Sequence, residues 1–121
     1  GIFDGIHEGH RFLFSHARAF GDELVAVVGR DEFVRAFKNK EPKNNEKSRI
    51  QMVQKEPLVD RVVLGDESLS SWRVIERLKP DVICLGYDQD ALAEDLARWM
   101  AERGVSIRIV RGLYKNPIDK V

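Results

Sequence analysis

Little in this chain could fasten it from outside. One residue of 121 is a cysteine, Cys84, and it sits in the apolar run Val82-Ile83-Cys84-Leu85. A single thiol cannot close an internal disulfide. With no secretory leader in view, a reducing cytoplasmic setting is the expectation. Long hydrophobic runs are also missing, and no apolar stretch approaches the roughly 20 residues of a membrane helix. Charge of one sign is not in excess: 20 Lys and Arg stand against 20 Asp and Glu. That balance argues against a nucleic-acid arm or a polybasic membrane anchor. Neither G-x-G-x-x-G nor a Walker A sequence occurs, so dinucleotide-type and P-loop readings find no footing. What is present is a 43% hydrophobic chain, enough for a real core. A single domain over residues 1–121 is expected.

The patterning predicts alternating elements. A helix is expected over His10–Phe20, with Leu13, Ala17 and Phe20 on one face and Gly21 as a stop. Leu24–Val28, Val59–Leu64, Val82–Leu85 and Val105–Val110 are short apolar runs that suit buried strands. Between them, helices are expected over Asp31–Phe37, Ser48–Gln54, Trp72–Leu78 and from Asp90 to Arg103. Serines of the 66–71 loop would cap the third of these, and Asp90 the last. Lys38–Lys47, rich in lysine and asparagine and containing Pro42, reads as an exposed, mobile loop. This alternation predicts an α/β fold, a three-layer α/β/α Rossmann-like sandwich around a parallel sheet. Opening on a helix is awkward for that plan, and a strand just ahead of Gly1 would complete it. In such sheets ligands bind beyond the carboxyl ends of the strands.

Residues 1–10, Gly-Ile-Phe-Asp-Gly-Ile-His-Glu-Gly-His, hold the densest chemistry. If a helix starts near Gly9, His7 and His10 both stand at its amino end, where backbone N–H groups lack intrahelical partners and the dipole is positive. That suits a phosphate, with two imidazoles adding donors. Gly9 has no Cβ to hold a bulky anion off the backbone. A divalent metal on His7 and His10, with Asp4 nearby, is the competing reading. The spacing is not HExxH, however, and no third ligand is evident. Trp72 and Trp99 fit helix faces as core residues, and Tyr87, after a strand and a glycine, could line a pocket.

The pattern Gly1-x-Phe3-Asp4-x-x-His7-x-Gly9-His10 resembles the signature of the cytidylyltransferase-like nucleotidyltransferases. Further along, Leu85-Gly86-Tyr87-Asp88-Gln89 resembles a loop of the archaeal-type FAD synthases, which adenylylate FMN. Lys38, Lys40, Arg49 and Val59-Asp60-x-Val62 fall where the family has its lysines, its helix arginine and its strand opening. The resemblance covers about residues 1–111. Three departures stand out. Ile2 replaces a usual Thr, Glu56-Pro57-Leu58 lacks an arginine found in the glycerol-phosphate branch, and Tyr114–Asp119 lacks the Ser/Thr motif that helps hold a triphosphate.

The resemblance implies transfer of a nucleoside monophosphate from ATP or CTP to a phosphorylated small-molecule acceptor, with pyrophosphate released and Mg²⁺ accompanying the nucleotide. It implies catalytic roles for His7, His10, Lys38 and Lys40. Nucleotide contacts would come from Phe3, Asp4, Gly9, Gly86, Asp88 and Arg111, and substrate contacts from Arg49 and Tyr87. No protein-held metal, nucleic acid or membrane is implied; a homodimer is. FMN adenylylation is the leading expectation. Cytidylyl transfer to a polyol phosphate or phosphonate is the alternative, and a nucleotide-binding module without turnover is a third.

Overall fold

Among the described residues four short strands form the frame, and their pairings are parallel. The computed structural model describes residues 1–68 and 70–112. In chain order the elements are α1 (Glu8–Arg18), β1 (Val25–Val28), α2 (Asp31–Lys38), α3 (Glu46–Gln54), β2 (Arg61–Leu64), α4 (Arg73–Leu78), β3 (Val82–Leu85), α5 (Asp90–Arg103) and β4 (Arg108–Arg111). β1 pairs with β2 from Val25↔Arg61 to Val28↔Leu64. β3 pairs with β4 from Val82↔Arg108 to Leu85↔Arg111. Helices make each crossover, as parallel strands require. The α/β class with parallel strands is as expected; among the described residues the strands are hydrogen-bonded as two pairs, β1–β2 and β3–β4.

Gly1 extends the first pair. Its N–H group donates to Val27 O at 2.9 Å, and Gly29 N–H donates to Gly1 O at 2.9 Å. The next carbonyl, that of Val28, accepts from Gly65 N–H at 2.9 Å. Successive carbonyls of a strand point to opposite edges, so Gly1 and β2 flank β1 on either side. The segment leading to His7 therefore leaves the same end of the frame as the loops after β1 and β2.

Side chains of β1 alternate between two cores, as a strand covered on both faces must. Ala26 and Val28 join Phe3, Phe14 and Val53 on one side. Val27 packs from the other side against Val74, Ile75, Ile83, Leu85, Leu96 and Trp99. Trp99 is a core residue as expected, whereas Trp72 is only partly buried and donates Nε1–H to Asp95 at 2.8 Å.

Several expected boundaries move for local reasons. β1 starts after Leu24, whose N–H is taken by the Asp60 carboxylate at 2.7 Å. That contact turns Val59–Asp60 out of the strand, so β2 begins at Arg61. β4 begins at Arg108 rather than Val105, because Val105 N–H closes α5 by donating to Met100 O at 2.9 Å. The serine cap expected for α4 is replaced by Asp66, which accepts from Val74 N–H at 3.3 Å and Ser71 Oγ–H at 2.8 Å. Gln89, not Asp90, is the cap residue of α5.

Candidate nucleotidyl-transfer site

α1 begins at Glu8, two residues earlier than expected, and His7 is its cap residue in an extended conformation. The turn that delivers it is tight. Gly5 has φ +107°, open to glycine and costly for any side chain. Phe3 has φ 57°, a left-handed conformation that costs a side-chain-bearing residue about 1–2 kcal/mol. Burial offsets that strain, since the Phe3 ring is 7% exposed. It packs 5.1 Å from the His10 ring and 5.6 Å from Phe14, centroid to centroid. The nucleotide contact expected of Phe3 is corrected accordingly: the ring belongs to the core and backs His10.

The two imidazoles cap the helix reciprocally. Gly9 N–H donates to His7 Nδ1 at 3.0 Å, and His7 N–H donates to His10 Nδ1 at 3.3 Å. This is a capping box built from two histidines. The first-turn amides expected to await an anion are thus partly used by the imidazoles themselves. The tautomer follows. An Nδ1 that accepts carries no proton, so a neutral ring holds its hydrogen on Nε2. Neither Nε2 has a hydrogen-bond partner among the described residues. The rings are stacked, with centroids 3.8 Å apart and planes 22° apart. His7 is exposed and His10 half-buried. Burial, then the neighbouring His7, push the His10 pKa down to about 4, so at neutral pH His10 is an uncharged donor. A metal would need those lone pairs. Among the described residues no group of three or more His, Cys, Asp or Glu could hold an ion.

Asp4 does not face the histidines through its carboxylate. It accepts from Lys43 N–H at 2.7 Å, Asn44 N–H at 2.9 Å and Asn44 Nδ2–H at 2.9 Å. Desolvation alone would raise its pKa, but those hydrogen bonds and Arg49 outweigh it and the net shift is downward. The lysine loop, exposed as expected, is tied to its surroundings by several hydrogen bonds. Lys38 ends α2, Asn39 adopts a left-handed conformation, and Arg35 grips Glu41 at 2.9 Å. Asn45 then caps α3 by accepting from Ser48 N–H at 2.8 Å. Lys38 and Lys40 are exposed beside this anchored segment.

Arg49 is a correction. A substrate contact was expected, but Arg49 is 0% exposed. Its Nε–H donates to Asn44 O at 3.0 Å, and its Nη1–H groups to Ile2 O at 2.8 Å and Gly29 O at 2.7 Å. Nη2 meets Asp31 Oδ1 at 2.7 Å. One buried guanidinium therefore ties together the start of the histidine turn, the end of β1 and the lysine loop. Planar fork geometry makes arginine suited to this.

The loop after β3 forms the other flank. Gly86 N–H donates to Gln89 Oε1 at 2.8 Å. Arg111 Nη2–H reaches Gly86 O at 3.1 Å and pairs with Asp90 Oδ1 at 2.7 Å. Arg111 thus braces this loop in the structure. Tyr87 and Asp88 are exposed, and Asp88 acts electrostatically on His10, favouring its charged form as a minor influence. Leu13 of α1 lies beside Gly112, where an added Cβ would sit 3.5 Å from both Leu13 Cδ1 and Tyr87 N. Leu13 of the histidine-bearing helix therefore meets the residue that follows β4. Tyr114–Asp119 lie outside the described residues.

Residues 1–118 match the family model described as cytidylyltransferase-like. The chain belongs to the cytidylyltransferase-like family. A curated relative from Pyrococcus horikoshii, named FAD synthase, is 40% identical over 120 residues, covering 99% of this chain and 81% of its own length. One from Korarchaeum cryptofilum with the same name is 46% identical over 115 residues, covering 92% and 76%. A crystal structure of the lipopolysaccharide core biosynthesis protein from Thermoplasma volcanium superposes with a TM-score of 0.82 at 37% identity, covering 92% of this chain and 89% of that one. The protein is a nucleotidyltransferase of this family.

In this nucleotidyltransferase the sequence reading passed over two groups. Asp31, the partner of Arg49, was hidden as one acidic residue in a helix's first turn. Arg30, Arg73 and Arg77 line a cavity of about 330 Å³ with Asp66 and Glu67. They come from separate elements, so no spacing announces them. Among the described residues no helix is long and apolar enough to cross a membrane.

Proposed function

We propose that this nucleotidyltransferase adenylylates FMN, with His7 and His10 as the donors that stabilise the transferring phosphate. An oxygen of the FMN phosphate attacks the α-phosphorus of ATP. The bond from that phosphorus to the bridging oxygen breaks, its electron pair leaves with pyrophosphate, and FAD is the product. Such a transfer demands positioning and charge stabilisation from the protein rather than covalent chemistry. The observation that carries the reaction class is the stacked histidine pair, each ring held by its Nδ1 with Nε2–H free to donate. Preorganised donors of this kind cost no reorganisation when charge develops. The acceptor rests on the relatives that bear the name FAD synthase.

Lys38 and Lys40 would supply mobile positive charge to the acceptor phosphate. Gly9, Gly86, Asp88 and Tyr87 would line the nucleotide and acceptor, and Arg111 would reach the polyphosphate from the far flank. Asp4 and Arg49 would act by holding the lysine loop and the histidine turn in register. A Mg²⁺ would accompany the triphosphate and would neutralise part of the phosphate charge.

The test is chromatographic. Protein incubated with ATP and FMN should yield FAD and pyrophosphate, while CTP with FMN, or with a polyol phosphate, should yield far less. His10→Ala should lower kcat by about 100-fold or more with little change in KM, because its donor matters most as charge builds. Absence of FAD and pyrophosphate with ATP and FMN would overturn the reading; tight ATP binding without turnover would then favour a nucleotide-binding module.

A further inference from the structure

We infer that the cavity beyond the carboxyl ends of β1 and β2 receives the ring system of the acceptor, and that Arg73 and Arg77 set acceptor specificity by donating to its carbonyl oxygens. This rests on the FMN reading above. The cavity, about 330 Å³, is lined by Arg30, Asp66, Glu67, Arg73 and Arg77 among others. That volume is on the scale of small-molecule sites.

Some of its polar groups are already engaged. Arg30 donates Nε–H to Gly65 O at 2.9 Å and lies 3.9 Å from Glu46. Asp66 holds Ser71 Oγ at 2.8 Å. Those bonds fix the wall. Arg73 and Arg77, four residues apart and hence on one face of α4, are exposed. Among the described residues they make no ion pair or side-chain hydrogen bond, and neither does Glu67. Two planar donor forks and a carboxylate acceptor thus stand available in one cavity.

The reacting phosphate has to lie at the imidazoles for attack to occur, which leaves the opposite end of the acceptor for this cavity. Arginines and carboxylates line it together, so donors and acceptors are both on offer. A polar heterocycle with carbonyl oxygens and an imide N–H matches the mixed lining: arginine N–H groups to the carbonyls, a carboxylate to the imide. The flavin ring has that edge. Position agrees as well. Gly1 and β2 flank β1, so the cavity and the segment leading to the histidine turn open from the same end of the frame. A ribityl chain joins ring to phosphate in the acceptor.

The experiment is steady-state FAD formation by the intact chain carrying Arg73→Ala and Arg77→Ala, with each single variant beside it. The expected result is an FMN KM raised about tenfold or more, while the ATP KM and kcat stay within about twofold. Riboflavin, which keeps the ring and lacks the phosphate, should inhibit the wild type competitively against FMN and inhibit the double variant about tenfold less well. Ribitol phosphate, which keeps the phosphate and lacks the ring, should inhibit both equally. An unchanged FMN KM, or an ATP KM that rises in parallel, overturns the cavity assignment and leaves FMN adenylylation standing. A wild-type protein that makes no FAD defeats that earlier reading and takes this inference with it. Both arginines are exposed, and matching thermal melts will show that the fold is intact.

Discussion

Arg49 and Asp31 form an ion pair of 2.7 Å in which the arginine is wholly removed from solvent while the aspartate stays partly exposed. A buried charge with its partner removed is costly, and here the same guanidinium also serves three backbone carbonyls. Arg49→Ala should destabilise the fold by about 3–5 kcal/mol in urea or guanidinium titration. A loss under about 1 kcal/mol would mean that water replaces the guanidinium without strain.

The tautomer of the histidine pair is a separate expectation. Nitrogen chemical shifts should place the hydrogen of His10 on Nε2 throughout the neutral range, because its Nδ1 accepts from His7 N–H. With a folded-state pKa of about 4 against about 6.5 in the unfolded chain, the unfolded state binds more protons between those values. Stability should therefore be unaffected by His10 above about pH 6.5 and decline as pH falls toward 4. In His10→Gln that part of the acid sensitivity should disappear. A His10 titrating near 6.5 would remove the basis for a neutral donor.

Asp4 has a linkage of the same sign, over a lower pH window. Its pKa is held below the ordinary carboxylate value, so its stabilising contribution is present above that value and vanishes as pH drops through the lowered one. Asp4→Asn keeps the shape but turns an amide donor toward backbone N–H groups. Hydrogen exchange at Lys43 and Asn44 should accelerate about tenfold or more, with smaller changes in α5. Equal protection in the variant would show that the loop is anchored by other contacts.

Gly5 offers a clean backbone test. An added Cβ would touch nothing within 4 Å, yet φ is +107°. Gly5→Ala should then cost about 1 kcal/mol or more through conformation alone. A thermal midpoint lowered by a few degrees is expected; an unchanged one would mean that the turn relaxes freely.

Much of this fold was legible because short apolar runs bounded by glycine and alternating with amphipathic stretches admit few arrangements. Val82–Leu85 was read to the residue. Strand ends were less legible where one distant side chain decided them, as Asp60 does by capturing Leu24 N–H. The candidate site divides the same way. His7 and His10 lie three apart, so local geometry alone brings them together. Arg49 looked like a substrate residue because its burial depends on Ile2, Gly29 and Asn44, none of them near it on the helix. Phe3 looked like a ligand contact for the same reason, although its place beneath His10 is set by Phe14 and β1.

What the sequence determined by itself was local and periodic: which segments become helix or strand, that the strands run parallel, and that two imidazoles share a helix start. Those outcomes depend on residues within a few positions of one another, where spacing fixes direction. Only the tertiary structure decided which charges are spent on the protein and which are left for a ligand. Arg49 and Asp4 are consumed by backbone groups, whereas Arg73 and Arg77 face a cavity, and nothing in their local sequence distinguishes the two cases. Partner choice for a charged side chain depends on what the fold brings alongside it, and for these residues that came from remote parts of the chain.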